Sequence, residues 1–181
     1  GPVWIQSVAP PAVTSPPQGQ TNAVGGTLTL SVSATGAVPL FYQWRKNATN
    51  LIEGGTIVGS DERTIIITPV QLSDAGNYDV VLHNGFGAVT SAVAVVAMYV
   101  PMFPPTITNQ PTNQSVIVGG SASFFVSATG TAPLSYQWYY NTNTLLTGQT
   151  ASTLALSNIQ LTNAGGYFVI VTNSYGSTTS V

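Results

Sequence analysis

The sequence contains no cysteine and very little charge. Without cysteine there is no disulfide framework and no thiolate to act as a nucleophile or metal ligand. Charged residues make up 4% of the chain, against roughly 25% in an average soluble protein. The net charge of -2 offers no basic patch, so we expect neither nucleic acid nor anionic lipid as a partner. No apolar run approaches the ~20 residues that span a bilayer, so we also expect no membrane insertion.

What the sequence has instead is apolar content and neutral polar side chains. Hydrophobic residues make up 44% of its 181 residues. A chain of low charge and high apolar content should fold rather than stay disordered. Apart from tyrosine, the ionisable side chains all lie between Arg45 and His83. The second half of the chain therefore has no side chain for acid–base catalysis near neutral pH.

The chain consists of two copies of one sequence unit. Residues 10–54 align with residues 104–148 at an offset of 94, and 21 of these 45 positions are identical. Farther along the chain the offset falls to 89, which indicates extra residues in the first copy between Gly54 and Thr64. The repeat predicts a first domain over 10–98, a linker over 99–103 and a second domain over 104–181.

Both ends of the chain are expected to be parts of a longer array. Gly1-Pro2 resembles the scar of a cleaved expression tag. The rest of 1–9 aligns with the end of the first domain, and is interpreted as the tail of a preceding unit or its linker. Val181 aligns with Ala92, so the last strand of the second domain is truncated, or is completed by residues beyond this sequence.

The alternation of apolar and polar residues indicates β-strands. Leu28, Leu30 and Val32 alternate with small polar residues, which is the two-residue period of a strand with one buried face. Clusters of Gly, Pro and Asn separate such runs at the spacing of a β-sandwich. Neither copy has a helical stretch. The sequence therefore predicts an all-β chain of two sandwiches, joined by a short, apolar, proline-rich linker.

The order of motifs in each copy resembles an I-set immunoglobulin domain. Each copy carries Val-Ser-Ala-Thr-Gly, then Tyr-Gln-Trp, then Ala-Gly-x-Tyr-x-Val. In this resemblance valines stand where the family usually has two cysteines, and each copy keeps the core tryptophan and the tyrosine corner. The resemblance implies a structural core of Val32, Trp44, Tyr78 and Val80 in the first copy, and Val126, Trp138, Tyr167 and Val169 in the second.

The resemblance has two further implications. Cysteine-free versions of these domains resemble tandem repeats in secreted or surface proteins of bacteria, so we expect a bacterial, extracellular protein. Arg63 and Asp74 occupy positions that often form a structural ion pair in this family. The second copy has Ser152 and Asn163 there, so both partners change together, which favours a structural pair over a catalytic one.

No pattern of residues predicts catalysis or a cofactor, so we expect the protein not to be an enzyme. His83 is the only histidine, and no partner for it is identifiable by spacing. Glu53, Asp61 and Glu62 lie in or beside the insertion of the first copy, and carboxylates in one loop are suited to Ca²⁺. Their spacing fits no EF-hand, and a solvated loop is the alternative. Whether this loop binds Ca²⁺ stays open.

Four aromatic residues are candidates for a ligand site or an interface. Phe86 and Tyr175 occupy the same place in a hairpin of the two copies, where we favour packing between domains over ligand binding. Tyr139 and Tyr140 follow the core tryptophan of the second copy, so one of them should point outward. An outward tyrosine is suited to stacking on a sugar, and an ordinary exposed strand aromatic is the alternative.

These observations favour a non-catalytic structural spacer, or an adhesion or interaction segment, of a larger extracellular bacterial protein. Its expected partners are adjacent domains of the same chain, with a glycan or another surface protein as further candidates. The alternative is a carbohydrate-binding accessory module of a secreted polysaccharide-active enzyme. Binding to polysaccharide would separate the two.

Overall fold

The computed structural model describes residues 8–181. The chain divides into two compact units: unit 1 runs to Pro101, and unit 2 extends from Met102 to Val181. Each unit is an all-β sandwich, which confirms the predicted fold class. Of the predicted tag scar and preceding tail over 1–9, residues 1–7 lie outside the described residues. In the part of the chain that the structure describes, no helix is long and apolar enough to cross a bilayer.

Unit 1 is built from short strands. They are β1 (Ala12–Ser15), β2 (Gln20–Ala23), β3 (Leu28–Ser31), β4 (Ser33–Thr35), β5 (Phe41–Lys46), β6 (Thr49–Asn50), β7 (Ile57–Val58), β8 (Thr64–Ile67), β9 (Gly76–Asn84), β10 (Gly87–Thr90) and β11 (Ala94–Tyr99). One sheet has the order β2-β11-β9-β5-β6, with β10 also paired to β9, and the other has the order β3-β8-β7. β1 pairs with β4. β11 runs parallel to β2 and antiparallel to β9, so it links β2 to the centre of the sheet.

Unit 2 repeats this arrangement with fewer strands. They are β12 (Thr106–Asn109), β13 (Ala122–Phe125), β14 (Ser127–Thr129), β15 (Ser135–Tyr140), β16 (Thr144–Leu145), β17 (Thr153–Leu156), β18 (Tyr167–Asn173) and β19 (Gly176–Thr179). The main sheet has the order β16-β15-β18-β19, while β13 pairs with β17 and β12 with β14. The described residues of unit 2 contain no counterpart of β11, and segment 114–117, which aligns with β2, forms no strand.

Alternate residues along the paired strands β3 and β8 form the inner face of unit 1. Leu28 and Leu30 of β3, and Ile65 and Ile67 of β8, are at most 2% exposed. Thr29, between the two leucines, is exposed. Burial of a side chain of this size contributes about 1.5–3 kcal/mol. The two-residue period of the sequence thus supplies the burial that holds this sheet against the other.

Valines and a tryptophan fill the centre of each sandwich. Val32, Trp44 and Val80 belong to one core cluster of unit 1, and each is at most 2% exposed. The equivalent residues of unit 2 are fully buried in its own cluster, namely Val126, Trp138 and Val169. Buried apolar side chains therefore occupy the positions at which the resemblance would place cysteines.

The two units differ in the loops around β6 and β16. The turn between β5 and β6 has two residues, Asn47 and Ala48, whereas the turn between β15 and β16 spans 141–143. The sequence alignment misses this extra residue of unit 2. In unit 1 the residues inserted after Gly54 include β7, which pairs with β8. The insertion therefore widens a sheet as well as lengthening a loop.

The structure corrects the predicted ion pair between Arg63 and Asp74. Among the described residues the one salt bridge joins Arg45 to Asp79, with 2.7 Å between Nε and Oδ1. The Asp74 carboxylate instead accepts a hydrogen bond from the Gln71 backbone amide at 2.7 Å. This bond caps the 3-10 turn that precedes β9. Arg63 is exposed, and among the described residues it forms no salt bridge with Asp74.

Candidate functional site

The strands that carry the core tryptophans and the strands paired with them together carry most candidate residues. β5 pairs with β9, and β15 pairs with β18. Trp44 and Trp138 point into the core, so the residues next to them on each strand point outward. The Trp44 indole donates to the Glu62 carbonyl at 2.8 Å, and the Trp138 indole donates to the Ala151 carbonyl at 2.9 Å. Each tryptophan thus sets the inward face of its strand and anchors a loop.

A glutamine beside each tryptophan has a role that sequence reasoning missed. Gln43 donates its side-chain amide to the Leu51 carbonyl at 2.9 Å, and Gln137 donates to the Leu146 carbonyl at 2.9 Å. These bonds tie the residue after β6, or after β16, back to the tryptophan strand. The repetition of Tyr-Gln-Trp in both copies could have singled out this glutamine. It does not predict which backbone carbonyl accepts the hydrogen bond of the glutamine.

An asparagine at the end of the central strand was also missed. Asn84 and Asn173 each donate to two backbone carbonyls, one in the incoming chain and one in the loop before the tryptophan strand. The acceptors, at 2.8–3.0 Å, are the carbonyls of Ala9 and Ala37 for Asn84, and of Phe103 and Thr131 for Asn173. Each asparagine therefore closes one end of its sandwich and is not free to bind a ligand through these protons.

The order Ala-Gly-x-Tyr, which occurs in both copies, places a tyrosine near the start of each central strand. Tyr78 donates its hydroxyl proton to the Asp74 carbonyl at 2.7 Å, and Tyr167 donates to the Asn163 carbonyl at 2.9 Å. Burial, with the Asp74 charge as a smaller cause, raises the pKa of Tyr78 to about 12. Burial also raises the pKa of Tyr167, which is only partly buried. Both hydroxyls are structural donors at neutral pH.

The outward pair beside the tryptophan differs completely between the units. In unit 1 Arg45 and Asp79 lie opposite each other and form two hydrogen bonds, of 2.7 and 2.9 Å. In unit 2 the residues at this register are Tyr139 and Phe168, and their rings stack with centroids 5.2 Å apart and planes 9° apart. A charged pair in unit 1 is thus replaced by an aromatic pair in unit 2.

Tyr140 does not share the outward surface of Tyr139. Its ring packs against Tyr167 with centroids 4.9 Å apart. Its hydroxyl lies 2.9 Å from the Thr162 carbonyl and 2.8 Å from the Ala164 carbonyl, and it can donate its proton to either. Of the two adjacent candidates for stacking on a sugar, Tyr139 is therefore the one that faces outward.

The hairpin aromatics Phe86 and Tyr175 are half-exposed, at 54% and 48%. Their backbone amides donate to the side-chain oxygens of Asn84 and Asn173 at 2.9 and 2.8 Å. These backbone bonds fix the conformation of the two hairpin tips and do not involve the aromatic rings. Both rings are thus presented at the surface of their own unit.

Two of the ionisable candidates of unit 1, Glu53 and His83, contact neighbouring residues. The Glu53 carboxylate accepts the Ser60 backbone amide at 2.9 Å, and this bond lowers the pKa of Glu53. Asp61 and Glu62 are exposed in the same loop. Over residues 8–181 no group of three His, Cys, Asp or Glu side chains is placed to hold a metal ion. His83 stacks on the ring of Phe41, with centroids 5.0 Å apart.

The outer surface of unit 2 around Tyr139 is continuous and neutral. Phe168 lies opposite Tyr139 on one side, and Leu145, which is 50% exposed, lies opposite it on the other. Ile170 follows Phe168 on the same outward side of β18. We call these four residues the aromatic face. Its aromatic and aliphatic side chains are suited to contact with an apolar surface or a sugar ring.

The two units define a class of protein by their fold: each is an all-β sandwich, and the two follow each other along one chain. Comparison with known families identifies it further. A sequence model described as an immunoglobulin domain matches residues 10–84 and 104–173. The chain belongs to the immunoglobulin domain family.

Curated relatives resemble this chain across both domains. Human IgLON family member 5 is 26% identical over 166 residues, which cover 86% of this chain and 46% of the relative. A Xenopus laevis protein named cell adhesion molecule-related/down-regulated by oncogenes is 28% identical over 118 residues, covering 62% of this chain and 9% of the relative. The chain thus spans about half the length of the first relative and a much smaller part of the second. Its tandem domains resemble those of cell-adhesion proteins.

Among solved structures, the titin domains Z1Z2, determined in complex with telethonin, match with a TM-score of 0.68. The match covers 94% of this chain and 93% of that chain at 23% sequence identity. At this identity the likeness shows the fold alone. Both curated relatives named above are animal proteins, so the bacterial source draws no support from them and stays a prediction.

Proposed function

We propose that this chain is a non-catalytic adhesion segment of a larger extracellular protein, and that the aromatic face of unit 2 makes the adhesive contact. The observation that carries this proposal is the outward stack of Tyr139 on Phe168, at the register where unit 1 has an ion pair. The resemblance to a cell adhesion molecule-related protein supports the same class of function. The extracellular location is part of the proposal, because adhesion between cells takes place outside them.

The aromatic face has the composition of a protein interface. Tyrosine and phenylalanine are enriched at the centre of such interfaces, and charged residues are depleted there. Aromatic rings remove a large apolar area from water on contact at a small cost in side-chain entropy. In unit 1 the same position holds Arg45 and Asp79, whose charges must lose water before any surface can cover them. Unit 2 is therefore the better adhesive surface of the two.

A second copy of this chain is the partner that the face fits best. Tyr139, Phe168, Ile170 and Leu145 carry no charge at neutral pH, so two such faces do not repel each other. Two copies related by a twofold axis would bury the same patch on both sides. We therefore propose contact between copies, displayed on opposing surfaces, as the adhesive event.

Bead aggregation tests this function. Beads coated with the whole chain are expected to cluster, and clustering should be lost when Tyr139→Arg is combined with Phe168→Asp. This double variant installs the ion pair of unit 1, so unit 2 should keep its fold, which circular dichroism checks. The control is Phe86→Ala, which changes an exposed aromatic of unit 1. Wild-type beads that stay dispersed, or a double variant that clusters normally, would contradict the proposal.

Carbohydrate binding is the second candidate, because Tyr139 is an outward aromatic ring on a face with neighbouring hydroxyls. Ser135 and Thr172 lie opposite each other on the same two strands. A polysaccharide array distinguishes the two functions. Binding that is lost in Tyr139→Ala but kept in Tyr140→Phe would favour an accessory module of a secreted polysaccharide-active enzyme. An array without binding, together with bead clustering, favours adhesion.

A further inference from the structure

The hairpin between β9 and β10 contains the one Asn-Gly dipeptide of the sequence, Asn84-Gly85. Asn84 is the last residue of β9, and Gly85 begins the turn that leads to β10. In this dipeptide the backbone nitrogen of the glycine can attack the side chain of the asparagine before it. Glycine has no Cβ atom, so it hinders such a close approach less than any other residue.

The reaction needs only water and hydroxide. The Gly85 backbone nitrogen gives its proton to hydroxide and forms a bond to Cγ of Asn84. The bond from Cγ to Nδ2 breaks, and Nδ2 takes a proton from water and leaves as ammonia, so the hydroxide is regenerated. Water then opens the five-membered imide ring at one of its two carbonyl groups. The product is aspartate or, when the other carbonyl is opened, isoaspartate.

Folded unit 1 holds both polar atoms of the Asn84 carboxamide. Nδ2 donates to the Ala9 carbonyl at 3.0 Å and to the Ala37 carbonyl at 2.8 Å. Oδ1 accepts the Phe86 backbone amide at 2.9 Å. Attack at Cγ makes the planar carboxamide tetrahedral, which moves both atoms, and the departure of ammonia breaks both bonds of Nδ2. The folded hairpin therefore opposes the reaction at its start and at its end.

Solvent access does not protect this dipeptide. Gly85 is exposed, and Asn84 is partly exposed. A Cβ atom placed on Gly85 would meet no atom within 4 Å, so the turn is not packed against the rest of unit 1. Exposed turns are among the segments that open locally at a small cost in free energy. The hydrogen bonds of Asn84, and not burial, are therefore what holds the carboxamide in its unreactive position.

We propose that Asn84-Gly85 is a self-modification site that is controlled by the folding of unit 1. The carboxamide stays intact while it holds the carbonyls of Ala9 and Ala37. It converts to aspartate or isoaspartate when this end of the sandwich opens. The inference goes beyond the proposed adhesive function and does not involve the aromatic face.

Conversion makes the opening permanent. A carboxylate has no proton to donate, so the carbonyls of Ala9 and Ala37 lose their shared donor and face a negative charge instead. The Ala37 amide also donates to the Ala9 carbonyl at 2.9 Å, so loosening one of these two segments loosens the other. Each opening thus adds to a population of chains in which unit 1 is less stable. This is the chemical modification of an open state that makes unfolding irreversible.

Unit 2 has the same hydrogen bonds but a different dipeptide. Asn173 donates to the carbonyls of Phe103 and Thr131, both at 2.8 Å. The next residue is Ser174, whose side chain hinders the approach of its backbone nitrogen to the asparagine. Unit 2 is therefore an internal control within the same chain, with the protecting bonds of unit 1 and without its reactive glycine.

Peptide mapping by mass spectrometry tests the site in the whole chain. The chain is incubated in mildly alkaline buffer with and without guanidinium chloride, and conversion is measured at both asparagines. We expect conversion at Asn84 to be at least tenfold faster in the denaturant, and conversion at Asn173 to be slow in both buffers. Equal rates at Asn84 in the two buffers would overturn the proposal. Conversion of Asn173 in the denaturant at the rate of Asn84 would overturn it too.

Two reciprocal variants test the role of the glycine. Gly85→Ser gives unit 1 the dipeptide of unit 2, and the open space around Gly85 admits the new side chain. Its conversion at Asn84 in the denaturant should fall at least tenfold. Ser174→Gly should raise conversion at Asn173 in the denaturant to the rate of Asn84, while the folded chain stays protected. Rates that do not follow the glycine would contradict the assignment.

Asn84→Asp reproduces one product of the reaction and tests its consequence. The two lost hydrogen bonds should lower the melting temperature of unit 1 by at least about 4 °C. The melting temperature of unit 2 should not change. A unit 1 that melts at a lower temperature, or that does not fold, supports a permanent opening. A unit 1 that melts at the wild-type temperature would overturn it.

Discussion

Replacing Tyr78 by phenylalanine removes one hydroxyl group from the core of unit 1. That hydroxyl donates to the Asp74 carbonyl at 2.7 Å, and the Tyr78 side chain is 0% exposed. A neutral hydrogen bond contributes about 0.5–1.5 kcal/mol, and a buried acceptor left without its donor costs about 1–3 kcal/mol. Asp74 itself is only partly buried, so water can reach part of its backbone. We therefore expect Tyr78→Phe to lower the free energy of unfolding of unit 1 by about 1.5 kcal/mol.

The same change in unit 2 is the matched control. Tyr167 makes the equivalent bond at 2.9 Å but is only partly buried, so water replaces the lost partner more readily. We expect Tyr167→Phe to cost about 0.5 kcal/mol. In a domain of this size a loss of 1 kcal/mol lowers the melting temperature by about 4–8 °C. Calorimetry of the whole chain should therefore show a clearly larger shift for the Tyr78 variant.

The pH dependence gives a second measure of the same hydroxyl. Burial raises the pKa of Tyr78 to about 12, above the ordinary tyrosine value of about 10. Because the pKa is higher in the folded state, the stabilisation is fully present below pH ~10 and is lost as the pH rises toward 12. The free energy of unfolding of unit 1 should fall in this window, by at most about 1.4 kcal/mol per pH unit from this group.

The Tyr78→Phe variant should lack this alkaline component, because phenylalanine does not ionise. Urea unfolding at pH 9 and pH 11 measures the difference for the wild type and both variants. Equal costs for Tyr78→Phe and Tyr167→Phe at neutral pH would refute the argument from burial. An alkaline decline of unit 1 that survives in Tyr78→Phe would show that another group is responsible.

Two further changes test the core and the insertion loop. Val32→Cys combined with Val80→Cys should form a disulfide under oxidising conditions and stabilise unit 1 by about 2–4 kcal/mol; a double variant whose thiols stay reduced would show that the strands are misaligned. Glu53→Gln should weaken the bond to the Ser60 amide. Because this bond lowers the pKa of Glu53, its contribution is present above pH ~4.5 and disappears as the pH falls. A stability difference between Glu53→Gln and the wild type that is the same at pH 7 and pH 3 would contradict this assignment.

The sandwich fold could be predicted because its signals are local and repeated. Alternation at Leu28, Leu30 and Val32 reports one buried face, and this depends only on the geometry of a strand. The recurrence of Tyr-Gln-Trp and Ala-Gly-x-Tyr in both copies strengthens the prediction, since the same residues appear twice in the same order. The outward direction of Tyr139 could also be predicted from the sequence. Side chains alternate between the two faces of a strand, so Tyr139 points away from the core if Trp138 points into it.

The side-chain pairs could not be predicted because they depend on the register between distant strands. Arg45 meets Asp79 only because β5 and β9 pair with these two residues opposite each other. The family resemblance predicted that Arg63 pairs with Asp74. In the structure the nearby Gln71 backbone amide donates a hydrogen bond to the Asp74 carboxylate instead. Local hydrogen bonds of this kind compete with long-range ion pairs at a lower cost in chain entropy.

The indole bonds of the two tryptophans have a consequence for how such domains diversify. Trp44 reaches the Glu62 carbonyl and Trp138 reaches the Ala151 carbonyl, although the intervening stretch is longer in unit 1. The chain between tryptophan and acceptor can therefore gain or lose residues while both ends stay anchored. Such a stretch is a natural place for grafting a foreign peptide, since added length there costs little in loop-closure entropy while the indole bond holds its far end in place.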